Sequence, residues 1–209
     1  HIMRRRQRQM CIRDRSYTIN LYKEIEELSG QSVGLHQTGG FYAASTKEWY
    51  DYLKGERSKA RYMGLDQEFI SPKELADRHP LIDPDHYHAV LWDAQDGHLD
   101  PSGTTYAFAK AAKAHGAQYF THCGATAMTQ RPDGSWDIVT PKGSINAEHV
   151  VNCGGLWARE VGQMAGIHLP VQPMEHHYLI TEPMDEVANF GQQLPHGIDF
   201  EANVYCRQE

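Results

Sequence analysis

From Leu21 to Leu28 apolar side chains recur at helical spacing among Lys and Glu, and Gly30 follows as a stop, so a helix is predicted there. The stretch VGLHQTGGFYAAS holds two short β-like runs about Thr38-Gly39-Gly40, the pattern of a hairpin. Lys47 to Met63 returns to a helical pattern rich in aromatics. Ser71-Pro72-Lys73-Glu74 has Ser as N-cap, Pro at the first helical position and Glu at the third, a capping box that starts a short helix to about His79. Asp100-Pro101 repeats the cap-then-proline start, and an alanine-rich helix follows to Gly116. The apolar stripe of that helix is expected to pack on a sheet.

The second half reads mainly as β structure. HGAQYFTHC is strand-like, and a strand through Ala125 to Met128 follows it. Turns at Pro132-Asp133-Gly134 and Pro141-Lys142-Gly143 bracket the strand SWDIV and lead into SINAEHVVNC. This is a β-meander returning into a buried strand that contains Val150 and Val151. Gly154-Gly155 then opens a helix from about Trp157 to Met164, stopped near Gly166 and expected to pack back on the sheet. HHYLIT is predicted as a further strand, and a loop containing Gly and Pro leads to a last one at VYCRQ.

Composition narrows the class. The chain has 209 residues, 40% hydrophobic and 22% charged, a globular composition with length for one core or two small ones. The net charge of -7 is spread beyond an arginine-rich start, which argues against nucleic acid or an anionic membrane as partner and favours a small molecule. Cys11, Cys123, Cys153 and Cys206 are far apart and form no CxxC pair, so a reducing compartment is expected. No apolar run approaches the roughly 20 residues of a membrane-spanning helix. The opening HIMRRRQRQMCIRDR resembles translated adapter sequence, so residues 1–15 are read as non-native, and the stop at Arg207-Gln208-Glu209 directly after a strand reads as a cut end.

Several residues invite a chemical reading, each beside a plainer one. VVNCGGLWA pairs a buried-strand pattern with a glycine turn and a helix start, a geometry that lets backbone approach a dinucleotide, although many α/β turns hold Gly-Gly for packing alone. The full GxGxxG phosphate fingerprint occurs nowhere in the chain. The pairs His86/His88 and His176/His177 lack HExxH or Cys-His spacing, so no metal is expected. Alternation in HHYLI places His176 and His177 on opposite faces of a strand. Asp96-Gly97-His98-Leu99-Asp100-Pro101 has the residue types of a catalytic loop, but a turn whose last Asp caps the helix explains it more simply. Tyr205 beside Arg207 suits an anionic substrate, and also an ordinary alternating aromatic strand.

The stretches GQSVGLHQTGGFYAAST, DGHLDP, RPDGSWDIVTPKGS, VVNCGGLWAREVGQMAGIHLPVQPMEHHYLIT and VYCRQE, in this order, resemble the flavin-dependent oxidoreductase domain of dimethylglycine and sarcosine dehydrogenases, in the D-amino-acid-oxidase-like superfamily. The resemblance runs from about Ser16 to Glu209 and implies an α+β to α/β fold in which a mixed-sheet substrate domain is interleaved with an FAD-binding Rossmann-like domain, here incomplete. Residues 16–100 would be mainly substrate domain, 101–168 part of the FAD-binding domain, and 169–209 a return to the substrate sheet. It implies that His176, matching the histidine of the family's HQY motif although the middle residue here is His177, and Tyr205 lie beside the flavin and the substrate amine. Arg207 would bind the substrate carboxylate, Ala125 would meet the adenosine part of FAD, and Cys153, Gly154, Gly155 and Trp157 would border the cofactor. The family's N-terminal glycine fingerprint, its histidine that often bonds FAD covalently and its later glycine segment are absent from these residues, so the chain alone is expected not to hold FAD and to be inactive. The implied reaction is oxidation of an N-methylated amino acid, with tetrahydrofolate as a partner through a further downstream domain. The location would be the bacterial cytoplasm, or the mitochondrial matrix in a eukaryote. The alternatives are a D-amino-acid or glycerol-phosphate oxidoreductase of the same superfamily and a non-catalytic binding module that kept the fold.

Overall fold

A computed structural model describes residues 17–208. The segment read as non-native lies outside the described residues. Two compact units divide the chain, one of Gln118–Ile180 and the other of the residues before and after it.

The larger unit is built on a mixed five-stranded sheet in the order β2-β3-β1-β7-β8. Its strands are β1 (Gly40–Ala44), β2 (Gln67–Ile70), β3 (Ala89–Asp93), β7 (His196–Asp199) and β8 (Val204–Cys206). β1 runs antiparallel to β3 and parallel to β7, with Phe41 opposite Gly197. Because side chains alternate across a strand, β1 and β3 feed two cores. Phe41, Ala43, Val90 and Trp92 pack with Ile70 and Leu75 on the face of α3 (Pro72–Arg78). Ala44 and Leu91 pack with Leu53 of α2 (Lys47–Tyr62) on the other. Burial of every β3 residue follows from cover on both faces.

The local helix signals act as expected. Helix α1 covers residues 17–29, and Gly30 ends it at φ +59°. Thr46 caps α2 by accepting the Trp49 N–H, and the Ser71 and Glu74 capping box forms in full. Asp100 accepts the Ser102 and Gly103 N–H groups at 2.9 Å each and starts α4 (Pro101–Ala114). The stripe of α4 does not pack on a sheet, however. Ala107 and Ala111 pack against Ile25 of α1 and Val33, because their small side chains admit a close helix neighbour. The expected hairpin at Thr38-Gly39-Gly40 is also absent: β1 starts at Gly40, and His36 bridges His98 instead.

The smaller unit holds the predicted meander, β4 (Ala127–Gln130), β5 (Trp136–Thr140) and β6 (Gly143–Ala147), all antiparallel. A 3-10 turn at Gly155–Trp157 leads into α5 (Ala158–Met164), which packs on β4. A short α6 (Asp185–Ala188) follows in the larger unit. Three predicted strands fail: HGAQYFTHC, the run through Val150-Val151, and HHYLIT are all irregular. Val151 is 81% exposed and Val150 39%, contrary to the expected buried strand, which removes that segment as support for the fold. The common reason is the ladder. A strand persists only where a neighbour takes its N–H and C=O groups, and among the described residues none of these runs has one.

Candidate functional site

The glycine turn is shaped by Asn152. Its side-chain amide donates to the Ala158 carbonyl at 2.8 Å, and its Oδ1 accepts the Gly154 N–H at 3.0 Å. The chain therefore doubles back, and Gly155 takes φ +54° with no atom within 4 Å of where a Cβ would stand. No side chain caps the 3-10 turn or α5. Cys153 and Trp157 are exposed on the same turn. An open, left-handed glycine beside uncapped N–H groups fits close approach by a polar cofactor edge. Ala125 lies half-buried just ahead of β4. Asn152, the residue that holds the turn, was not singled out from sequence, although Asn two residues before a glycine pair is a recognisable turn signal.

His176 and His177 lie exposed in an irregular segment, so strand alternation does not assign them to opposite faces. Tyr205 sits in β8 opposite Ile198 and is 54% exposed, and Arg207 follows directly, also exposed. The structure thus joins Cys153, Gly154, Gly155 and Trp157 in one turn, and Tyr205 and Arg207 at one strand end.

The DGHLDP loop does more than cap a helix. Asp96 Oδ2 accepts from the Tyr42 hydroxyl at 3.4 Å and lies 3.6 Å from His196 Nε2, while Oδ1 accepts the Gly97 N–H at 3.0 Å. Only glycine fits at position 40, since a Cβ there would stand 2.8 Å from His196 Cε1 and 2.9 Å from Asp96 Cβ. Nothing local in the sequence marks His196 as the partner of Asp96, because the parallel pairing of β1 with β7 brings them together. At the end of α3, His79 is 4% exposed with Nε2 4.0 Å from Cys206 Sγ of β8. Burial pushes the His79 imidazole below its ordinary pKa, and desolvation of the sulfur, in a residue otherwise exposed, raises the Cys206 thiol above its own, so neither shift favours a thiolate–imidazolium pair. Among the described residues no cluster of His, Cys, Asp or Glu is arranged to hold a metal, and no helix is long and apolar enough to cross a membrane.

The profile of the FAD dependent oxidoreductase family matches residues 4–209. The mitochondrial dimethylglycine dehydrogenase of Rattus norvegicus is 38% identical over 192 residues, which is 92% of this chain and 22% of that protein. The mitochondrial sarcosine dehydrogenase of Mus musculus is 34% identical over 190 residues, 88% of this chain and 20% of that protein. Among solved structures, L-proline dehydrogenase from P. horikoshii superposes with a TM-score of 0.83 at 28% identity, over 95% of this chain and 52% of that one. The chain therefore spans only about a fifth of the length of these two mitochondrial relatives.

Proposed function

The chain belongs to the FAD dependent oxidoreductase family, and from that membership we propose that it is part of an enzyme oxidising an N-methyl amine such as dimethylglycine or sarcosine by hydride transfer to FAD. The observation that carries this reading is the 38% identity to a dimethylglycine dehydrogenase along 92% of the chain. Bound FAD would supply the hydride acceptor.

In this reading residues 16–100 and 169–209 serve mainly the substrate side and residues 101–168 the cofactor side. Ala125 and the turn of Cys153, Gly154, Gly155 and Trp157 would border the cofactor with backbone atoms. Only the neutral amine has a lone pair to stabilise the iminium that forms as hydride leaves, so a base beside the nitrogen assists. His176 takes that role, since an imidazole nitrogen can accept a proton from the substrate ammonium. Tyr205 orients the substrate through its hydroxyl, and Arg207 pairs with the substrate carboxylate. The iminium carbon is then available to water or to tetrahydrofolate held by a further domain. In a eukaryote such an enzyme would work in the mitochondrial matrix, in a bacterium in the cytoplasm.

A second substrate reading, a cyclic secondary amine, is favoured by the TM-score of 0.83 to an L-proline dehydrogenase. The test joins the chain to its flanking sequence and follows flavin bleaching by dimethylglycine, sarcosine and L-proline. His176→Ala should slow bleaching by the preferred N-methyl amine about 10²–10⁴-fold while FAD stays bound. His177→Ala should cost far less. If both variants react at the parental rate, or only His177→Ala is slow, His176 is not the base. The 209-residue chain alone should purify without flavin absorbance and oxidise no amine, since it contains no GxGxxG loop to cradle a pyrophosphate. A stoichiometric yellow preparation refutes this.

A further inference from the structure

On the α3 face of the five-stranded sheet, a cleft of about 270 Å³ opens between β1, β7, β8 and the segment around the 3-10 turn Pro84–His86. Phe41, Ile82, Tyr87 and Val204 give it apolar and aromatic walls, and His86 and Asp199 line it with an imidazole and a carboxylate. Asp199 Oδ1 accepts the Glu201 and Ala202 N–H groups at 2.9 Å each, and Oδ2 accepts the Tyr87 hydroxyl at 3.1 Å. These three donors are neutral. Among the described residues, no Lys, Arg or His is ion-paired with Asp199.

The volume is that of about nine liquid waters, ample for a small ligand and too small for a nucleotide. Aromatic faces attract cations through their quadrupole, and an uncompensated carboxylate adds a full charge of the same preference. The local field agrees. Burial first, then the charge and the hydrogen bond of Asp199, push the Tyr87 hydroxyl up to about 12, so it stays a proton donor to Asp199. An anionic ligand is disfavoured by the same groups, and a purely apolar one leaves the carboxylate without a counter-charge.

We propose that this cleft binds a small alkylated ammonium ion, with its alkyl groups against Phe41, Ile82 and Val204 and its charge facing Asp199. The site requires no flavin and is separate from the assignments to His176, Tyr205 and Arg207, so its failure leaves the proposed oxidoreductase function standing.

The test titrates the 209-residue chain at pH 8 and constant ionic strength with tetramethylammonium, and in parallel with tert-butanol, a neutral molecule of similar size. Amide NMR shifts at Glu201, Ala202 and Val204 are the readout. Tetramethylammonium should give saturable shifts, tert-butanol should bind about tenfold more weakly, and Asp199→Asn should weaken tetramethylammonium about tenfold. Because Asp199 also holds the 199–202 turn, Ala202→Leu serves as a second variant, filling the cleft and leaving the carboxylate in place. It should abolish binding. Equal affinity for the neutral molecule, unchanged affinity in either folded variant, or no saturable shift with the parent each overturns the proposal.

Discussion

Gly197→Ala tests the sheet that carries Tyr205. Gly197 is buried in β7, directly opposite Phe41 in the parallel ladder and opposite Cys206 in the antiparallel one. Its backbone has no positive φ, so alanine is conformationally acceptable there and gains the roughly 0.5–1 kcal/mol by which glycine weakens a strand. The clash runs the other way. A Cβ at 197 would stand closer than 3.0 Å to the Cζ, Cε1 and Cε2 atoms of Phe41, whose ring is only 3% exposed and packed in the α3 core. Overpacking of this kind costs about 1–3 kcal/mol, and overlap with three ring atoms of a side chain packed in the α3 core places this case near the upper end. The net expectation is a loss of about 2 kcal/mol, or some 1 M in urea midpoint at a slope of about 2 kcal/mol/M. Urea unfolding followed by near-ultraviolet circular dichroism reads it. Phe41→Leu makes room, so the double variant Phe41→Leu/Gly197→Ala should be more stable than the sum of the single effects by about 0.5–3 kcal/mol. A Gly197→Ala protein within about 0.5 kcal/mol of the parent, or strictly additive single effects, refutes the close packing of these strands.

Two further outcomes follow from burial. His79 is harder to protonate in the fold than in the unfolded chain, so protons favour unfolding: its contribution is full above about pH 6.5 and is lost as pH falls below that value toward the folded pKa. His79→Leu should flatten that part of the stability curve relative to the parent, and parallel curves refute it. Tyr87, raised to about 12, favours the fold while protonated, a contribution present below about pH 10 and lost as pH rises through 12. Absorbance at 295 nm should lack a late-titrating tyrosine in Tyr87→Phe, and Asp199→Asn should move that step to lower pH.

Helix starts and stops were legible from the chain alone, because a cap or an αL glycine acts within one turn: Ser71 with Glu74, Asp100 before Pro101, and Gly30 lie where their chemistry places them. The meander was equally local, set by turns at Gly134 and Gly143, and the motif order pointed to the FAD dependent oxidoreductase family that the profile match establishes. The five-stranded sheet was not legible. It pairs Gly40 with His196 in parallel across more than a hundred residues, and no local pattern encodes which distant strand completes a ladder. For the same reason HHYLIT and Val150-Val151, with strand-like side chains, form no strand: alternation describes a surface suited to a sheet, and a sheet exists only where a partner supplies the hydrogen bonds. Tertiary structure alone also brought Asp96 to Tyr42 and His196, and Asp199 to Tyr87, since each pair is made by strand order and not by spacing along the chain.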